Sequence, residues 1–452
     1  MDLLLNPVVL SVIVMLVLCL FKLNIILALL ISALVAGGVA FMPGYMAAGA
    51  GAFGAFTQAM SHTIGTLVNG MGGQSNTALS YILLGALAVA LGNTGLTGVL
   101  CDKITRVVGK KGLFLLLLIA FISCFSQNLV PVHIAFIPIL IPPLLSLFNQ
   151  LKIDRRAVAC SLTFGLKAPY IALPAGFGLV FQGILSDEMA KSGVEIARNS
   201  VWHYTWFLGV AMLVGLLIAI FFSYRKPREY QNLPLEGIDL GTRTTFKFSD
   251  LLTLVALVVA VVVQLKIDSL PLAALSALIL MFVFGQLKWK DIEDTMKSSI
   301  GIMGMIAIIM LVASGFGDVI RETKAVDHLV NSVVSMVGGS KAIGTFLMLL
   351  VGLLITMGIG TSFGTIPVVA AIYVPLGIKL GLTPGAICCV LAAAAALGDA
   401  GSPASDSTLG PTSGLNFDGQ HNHIWDTCVP TFLHYNILLI IGGMIGALVV
   451  FA

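Results

Sequence analysis

Gly398-Asp399-Ala400-Gly401-Ser402-Pro403-Ala404-Ser405-Asp406-Ser407-Thr408 follows directly on the apolar run Val390 to Leu397. Two glycines and a proline break a helix there and leave backbone carbonyls unpaired. Four hydroxyls and two carboxylates add hard oxygen ligands for a cation. An ionisable group at membrane depth is expensive, so a functional role is its default reading. A discontinuous helix of this kind is how secondary transporters build their binding sites. A cytoplasmic loop beginning at residue 398 is the competing reading. The repeat described next weighs against it, because it puts the equivalent break inside a span.

The chain is written twice. Lys22-Leu23 and the run ending Ile31-Ser32-Ala33-Leu34 are echoed by Lys266-Ile267 and Leu275-Ser276-Ala277-Leu278. Pro138 and Pro174 are echoed by Pro375 and Pro411, each pair about 240 residues apart. Residues 1–225 read as a first repeat, 226–250 as a cytoplasmic linker, and 251–452 as a second repeat.

Of the 452 residues, 58% are hydrophobic and 10% charged. Soluble domains carry about a quarter charged residues, so this surface faces lipid. Apolar stretches of about 20 residues recur along the chain, enough to cross a bilayer. The net charge of +3 sits in loops and sets orientation; it does not indicate nucleic acid. Seven cysteines without CxxC spacing lie mostly in apolar segments and read as small packing residues. Asp2 is the only charge before Lys22, so residues 6–21 read as a retained helix rather than a signal peptide.

The spans of the first half read as 6–21, 24–42, 78–100, a pair over 113–148, a broken segment 157–185, and 204–224. Those of the second read as 251–264, 269–287, 299–318, a pair over 343–377, a broken segment 385–411, and 430–452. The charge-free stretch 43–77 reads as a helix lying against the bundle or in the interface. Basic loops at 101–112 and 149–156 read as cytoplasmic, the loop 186–203 as external, and both termini as external. Arg321, Lys324 and Lys341 fall outside under this scheme, against the basic-residue trend, although Glu322 and Asp327 lie among them. The fold class is therefore an all-α polytopic membrane protein with two inverted-topology repeats. Each has about five crossings, one re-entrant helical hairpin and one broken helix.

The paired segment 113–148 begins and ends on one side, as two crossings or as a re-entrant hairpin. Its polar midpoint Phe125-Ser126-Gln127-Asn128 favours the hairpin, since polar backbone at this depth must be buried or face a wet cavity. Ser126 and Asn128 are site candidates. The second tip is Gly358-Ile359-Gly360-Thr361-Ser362-Phe363-Gly364-Thr365, whose Thr361 and Ser362 hydroxyls suit an ion or a substrate; a small-residue helix contact is the plainer alternative. In the first half the break reads as Gly165-Leu166-Lys167-Ala168-Pro169-Tyr170, then Pro174-Ala175-Gly176. A buried Lys167 needs a counter-charge, which Asp399 or Asp406 would supply; otherwise it snorkels to the interface. His133 and His434 are possible proton relays, with structural roles the simpler reading. Asp318, Arg321 and Glu322 read as an external ion-pair cluster, and His421 and His423 as a weak suggestion of a metal.

The segments Gly360–Thr365 and Gly398–Thr408 resemble the signature segments of NhaC-type sodium/proton antiporters. The whole chain is similar to the branch of that family regarded as amino-acid transporters, the YuiF-like histidine-permease relatives. The resemblance implies an ion-transporter-type fold with inverted repeats and two hairpins, a homodimer, and elevator-like motion in the inner, or plasma, membrane. By the same resemblance, Asp399, Ser402, Ser405, Asp406, Thr361 and Ser362 are ion or substrate ligands, with Lys167 and Asn128 beside them.

Two functions follow as expectations. One is sodium- or proton-coupled amino-acid transport by alternating access, with the two carboxylates and Lys167 suited to a zwitterion. The other is exchange of Na+ for H+ at Asp399 and Asp406. No cofactor is expected beyond Na+ or H+ as coupling ion, and the partners are an amino acid, a monovalent cation and membrane lipid. No nucleophile–base pair or metal motif points to an enzyme. Aromatic residues near the site are few (Phe363, Tyr170, Phe177), so no large apolar substrate is indicated.

Overall fold

A computed structural model describes residues 5–21, 23–94, 99, 112–128, 133–231, 245–267, 269–403 and 405–452. The basic loop at 101–111 and the linker residues 232–244 lie outside these, as do the side chains of Ser126, Asn128, His133 and Asp406.

The first half runs α1 (Pro7–Leu20), α2 (Ile25–Ala47), α3 (Ala52–Met71), α4 (Ser75–Gly92), α5 (Gly112–Asn128), α6 (His133–Gln150), α7 (Arg155–Ala172), α8 (Phe177–Lys191) and α9 (Trp202–Ile218). The second runs α10 (Phe248–Ile267), α11 (Leu270–Val283), α12 (Ile292–Glu322), α13 (Val326–Met336), α14 (Lys341–Ile359), α15 (Ser362–Lys379), α16 (Pro384–Ala396), α17 (Asp406–Leu415) and α18 (His423–Val450). Among the described residues, six helical stretches are long and apolar enough to cross a membrane. The bent pair α7–α8 makes a seventh.

Helix starts follow local chemistry. Asn24, Asp154, Ser340, Thr383, Ser405 and Asn422 each accept from a backbone N–H of the first turn, satisfying donors a helix leaves orphaned. The charge-free stretch holds α3, packed between α2 and α12, with the Thr63 hydroxyl seated where Gly37 has no side chain.

Four elements position the site: the hairpins α5–α6 and α14–α15 and the broken pairs α7–α8 and α16–α17. The first arm of each hairpin packs on the first segment of its own half's broken pair, α5 on α7 and α14 on α16. The second arm packs on the second segment of the other half's pair, α6 on α17 and α15 on α8. Gly112 lies near Ile153 and Gly381 near Lys341, so each hairpin starts and finishes at one end of the bundle.

Small residues make this centre dense. Gly385 to Ala396 is buried throughout, and a Cβ on Gly352 would stand 2.6 Å from that of Ala394.

The first broken segment breaks at Pro174-Ala175-Gly176, as its sequence reads, but not at Gly165–Tyr170. Helix α7 continues through Gly165–Tyr170 to Ala172, with Pro169 inside it, and the 48° bend falls at 173–176. Lys167 therefore stands on an intact helix. The bend needs Gly176 at φ 58°, whereas Pro169 keeps a helical φ and gives up only one donor. Helix α12 is also longer than expected, and an amphipathic α13 occupies part of what reads as loop.

Candidate substrate and ion site

After α16 the chain is extended and turned from Leu397 to Pro403. Gly398 has φ 81°, and a Cβ there would stand 2.6 Å from the Leu353 carbonyl oxygen, so only glycine fits. The backbone groups of the break are taken up by side chains. Asn436, on α18, accepts from the Gly398 N–H at 3.0 Å and donates to the Ala400 carbonyl at 2.9 Å. Ser407 donates to the Asp399 carbonyl at 3.0 Å, and Thr163 on α7 to the Ser407 carbonyl at 2.9 Å. The Thr408 hydroxyl lies against the carbonyls of Ser402 and Ser405.

Asp399 is the focus, 1% exposed. Its Oδ2 pairs with the Lys167 ammonium and accepts from the Ser362 N–H at 3.0 Å, the Ser362 hydroxyl, and the Tyr170 hydroxyl at 3.4 Å. Its Oδ1 accepts from Ser405. Ser362 is the first residue of α15, after Gly360 turns the tip at φ 77°. The Asp399 carboxylate thus occupies the N-terminus of an 18-residue helix, where orphan N–H groups and the helix dipole favour an anion. Tyr170 also shares a 2.8 Å hydrogen bond with Ser362, and Lys167 Nζ lies 5.4 Å from its ring centre.

Of the expected site residues, Lys167, Ser362 and Ser405 therefore converge on the carboxylate of Asp399. Thr361 is buried beside them, but its hydroxyl does not cap α15. Ser402, fully buried, donates to the Met357 carbonyl at 3.2 Å. Asp406 is the first residue of α17. Ser126 and Asn128 belong to the end of α5, whose Ser123 packs against Gly165, two residues before Lys167.

Sequence reasoning places Tyr170 and Ser407 beside the site without giving either a role, and misses Asn436. A lone asparagine within an apolar span was the signal available for Asn436. It also missed the extent of the aromatic wall: Phe363 lies 5.0 to 5.9 Å, ring centre to ring centre, from Tyr170, Phe181, Tyr81 and Phe177.

The other candidates have partners elsewhere. His434 is held by the Pro430 carbonyl at 2.7 Å and by Ser223 at 2.8 Å. His421 bonds Thr427, and His423 bonds Thr412 and the Pro403 carbonyl. Arg321 pairs with Asp318 and the buried Glu188, and Glu322 with His62; His62, Asp318, Arg321 and Glu322 line a cavity of about 760 Å³. Cys124, Cys160, Cys388, Cys389 and Cys428 are free thiols.

A buried ammonium–carboxylate pair, held between a broken helix and a hairpin tip inside a bundle of apolar helices, defines a multi-pass membrane transporter rather than an enzyme. The chain belongs to the Na+/H+ antiporter family, whose sequence pattern matches residues 161–446; a second pattern, also described as a Na+-H+ antiporter family, matches residues 6–108. It is 46% identical to YuiF of Bacillus subtilis (strain 168), by its name a candidate amino acid transporter, over 86% of this chain and 91% of that one. It is equally similar, at 46%, to a membrane protein of Vibrio parahaemolyticus over 98% of this chain and 100% of that one. In fold it is similar to the Alcanivorax borkumensis YdaH transporter (TM-score 0.59, 15% identity, 86% of this chain and 88% of that one). Neisseria gonorrhoeae MtrF gives TM-score 0.60 at 15% identity, with 87% and 85% covered.

Proposed function

We propose that this chain is a cation-coupled transporter of amino acids, working by alternating access between two inverted repeats. The observation that carries the reading is the Lys167–Asp399 pair. It is a preformed ammonium–carboxylate couple in a site otherwise lined by serine and tyrosine hydroxyls. A zwitterion can replace each half of it: its ammonium takes the place of Lys167 on Asp399, and its carboxylate takes Lys167 or the Ser362 end of α15. Na+ or H+ supplies the coupling charge, and the oxygen-rich break from Asp399 to Asp406 is where a cation would be held.

The likeness to YuiF supports an amino acid as substrate. A second reading, Na+/H+ exchange, draws on the same pair: a proton and a sodium ion would alternate on Asp399 as Lys167 is released and recaptured. The matched family supports that chemistry. A homodimer and annular lipid complete the proposal.

The test is uptake of a labelled amino-acid mixture into proteoliposomes under an imposed Na+ or H+ gradient, with Asp399→Asn alongside. Gradient-driven accumulation lost in the variant supports amino-acid transport and names the coupling ion. No accumulation, with a sodium-triggered pH change in the same vesicles, replaces it with antiport.

A further inference from the structure

The described start of the linker, up to Gln231, lies across one end of the bundle and binds both halves. On the first-half side, Arg228 N–H donates to the Lys152 carbonyl at 3.0 Å, the Arg155 N–H to the Tyr230 hydroxyl at 3.1 Å, and Asn149 to the Gln231 carbonyl at 3.2 Å. On the second-half side, Arg228 pairs with Asp426 at 2.8 Å, and Gln231 exchanges two 2.8 Å hydrogen bonds with Gln420.

Under this strap lies a second charged pair. Arg155, fully buried, grips Asp418 with two hydrogen bonds of 2.6 Å and donates to the Leu415 carbonyl at 2.9 Å. The Tyr230 ring covers the guanidinium at 4.3 Å. Arg155 begins α7, the helix that carries Lys167. Asp418 follows α17, the helix that issues from the break holding Asp399. The two elements joined at the site are thus joined again at one end of the bundle, and the linker covers that second junction.

We propose that residues 227–231 form a latch that keeps the route between the site and the linker's side of the membrane shut. A bidentate Arg–carboxylate pair is strong while it is shielded from water. Tyr230 supplies the shield, and Arg228 with Gln231 holds Tyr230 in place across both halves. Release of the strap wets the Arg155–Asp418 pair, weakens it, and lets the ends of α7 and α17 part. The latch acts on whatever solute the site carries, so it does not depend on the amino-acid reading.

Native thiols make the test direct. Cys160 is fully buried on α7 between Arg155 and Lys167, whereas Cys388 and Cys389 are buried on α16. Full-length protein in sidedness-defined vesicles is exposed to a membrane-impermeant thiol reagent, and labelling is read peptide by peptide. Arg228→Ala and Tyr230→Ala should each raise Cys160 labelling several-fold from the linker's side alone, with Cys388 and Cys389 unchanged. The swap of Arg228→Asp with Asp426→Arg should return the rate toward wild type. An unchanged Cys160 rate in both single variants overturns the latch. So does a parallel rise at Cys388 and Cys389, which marks general loosening. If Tyr230→Ala does not fold, Arg228→Ala decides, since that side chain is 39% exposed.

Discussion

Lys167 and Asp399 come from opposite halves of the chain, 232 residues apart, and meet as a buried ion pair at the point where one helix breaks and another begins. Neither charge is stable there alone. Removing one member of a buried pair leaves the other unpaired, at a cost of about 3–5 kcal/mol. Asp399→Asn should therefore abolish uptake and lower the unfolding temperature. Adding Lys167→Met should recover most of the stability and none of the transport. An Asp399→Asn protein as stable as wild type would show that Lys167 does not depend on this carboxylate.

Tyr170 fixes the geometry of the carboxylate through one hydroxyl shared with Ser362. Tyr170→Phe keeps the ring against Phe363 and Phe181 and deletes only that hydroxyl. A hydrogen bond of this kind contributes about 0.5–1.5 kcal/mol. The expected outcome is a KM raised about tenfold or less in the uptake assay, with the protein's melting temperature nearly unchanged.

Asn436 satisfies two backbone groups of the break at once. Asn436→Ala strands the Gly398 N–H and the Ala400 carbonyl away from water, at about 1–3 kcal/mol for each group. Asn436→Asp brings an unpaired carboxylate to a buried position beside Asp399's loop, so its melting temperature should fall at least as far as that of alanine. Equal melting temperatures for all three would show that another group satisfies the break.

His421 lies in the loop after α17, buried, with its Nδ1 unpartnered among the described residues. Burial pulls its pKa down to about 4; Asp426 opposes this, and Arg155 and Arg228 add to it. In the unfolded chain the imidazole titrates near 6.5. Below that pH the unfolded state binds a proton that the folded state does not, so stability is lost as pH falls from about 6.5 toward about 4. Between pH 7 and pH 5 this amounts to about 2 kcal/mol. His421→Asn should flatten that part of the pH dependence of thermal unfolding in detergent. An unchanged slope would place the acid sensitivity elsewhere.

Much of the site was legible because it is written in local sequence. Glycine and proline beside serine and aspartate mark the break at 398–408. Gly360-Thr361-Ser362 marks a helix end and a helix start. Of the first-half break, Pro174-Ala175-Gly176 holds and Gly165–Tyr170 does not, because proline can sit inside a buried helix whose neighbours absorb its lost hydrogen bond, and residue types alone do not report those neighbours. The aromatic wall was underestimated for a similar reason: Tyr81 lies on α4, far from any motif, and Phe181 follows the first break without belonging to it.

The sequence by itself determined that the chain lives in a membrane and that its second half carries a polar break and a polar turn. These follow from composition and from periods of a few residues, which bilayer thickness and backbone hydrogen bonding impose on any chain. Only the tertiary structure decided that Lys167 sits on Asp399, that Tyr170 and Asn436 complete the site, and that the linker covers Arg155 and Asp418. Those relationships join residues far apart in sequence. They depend on which helix faces pack together, a choice made by the shapes of many small side chains in a dense core and not by any local pattern.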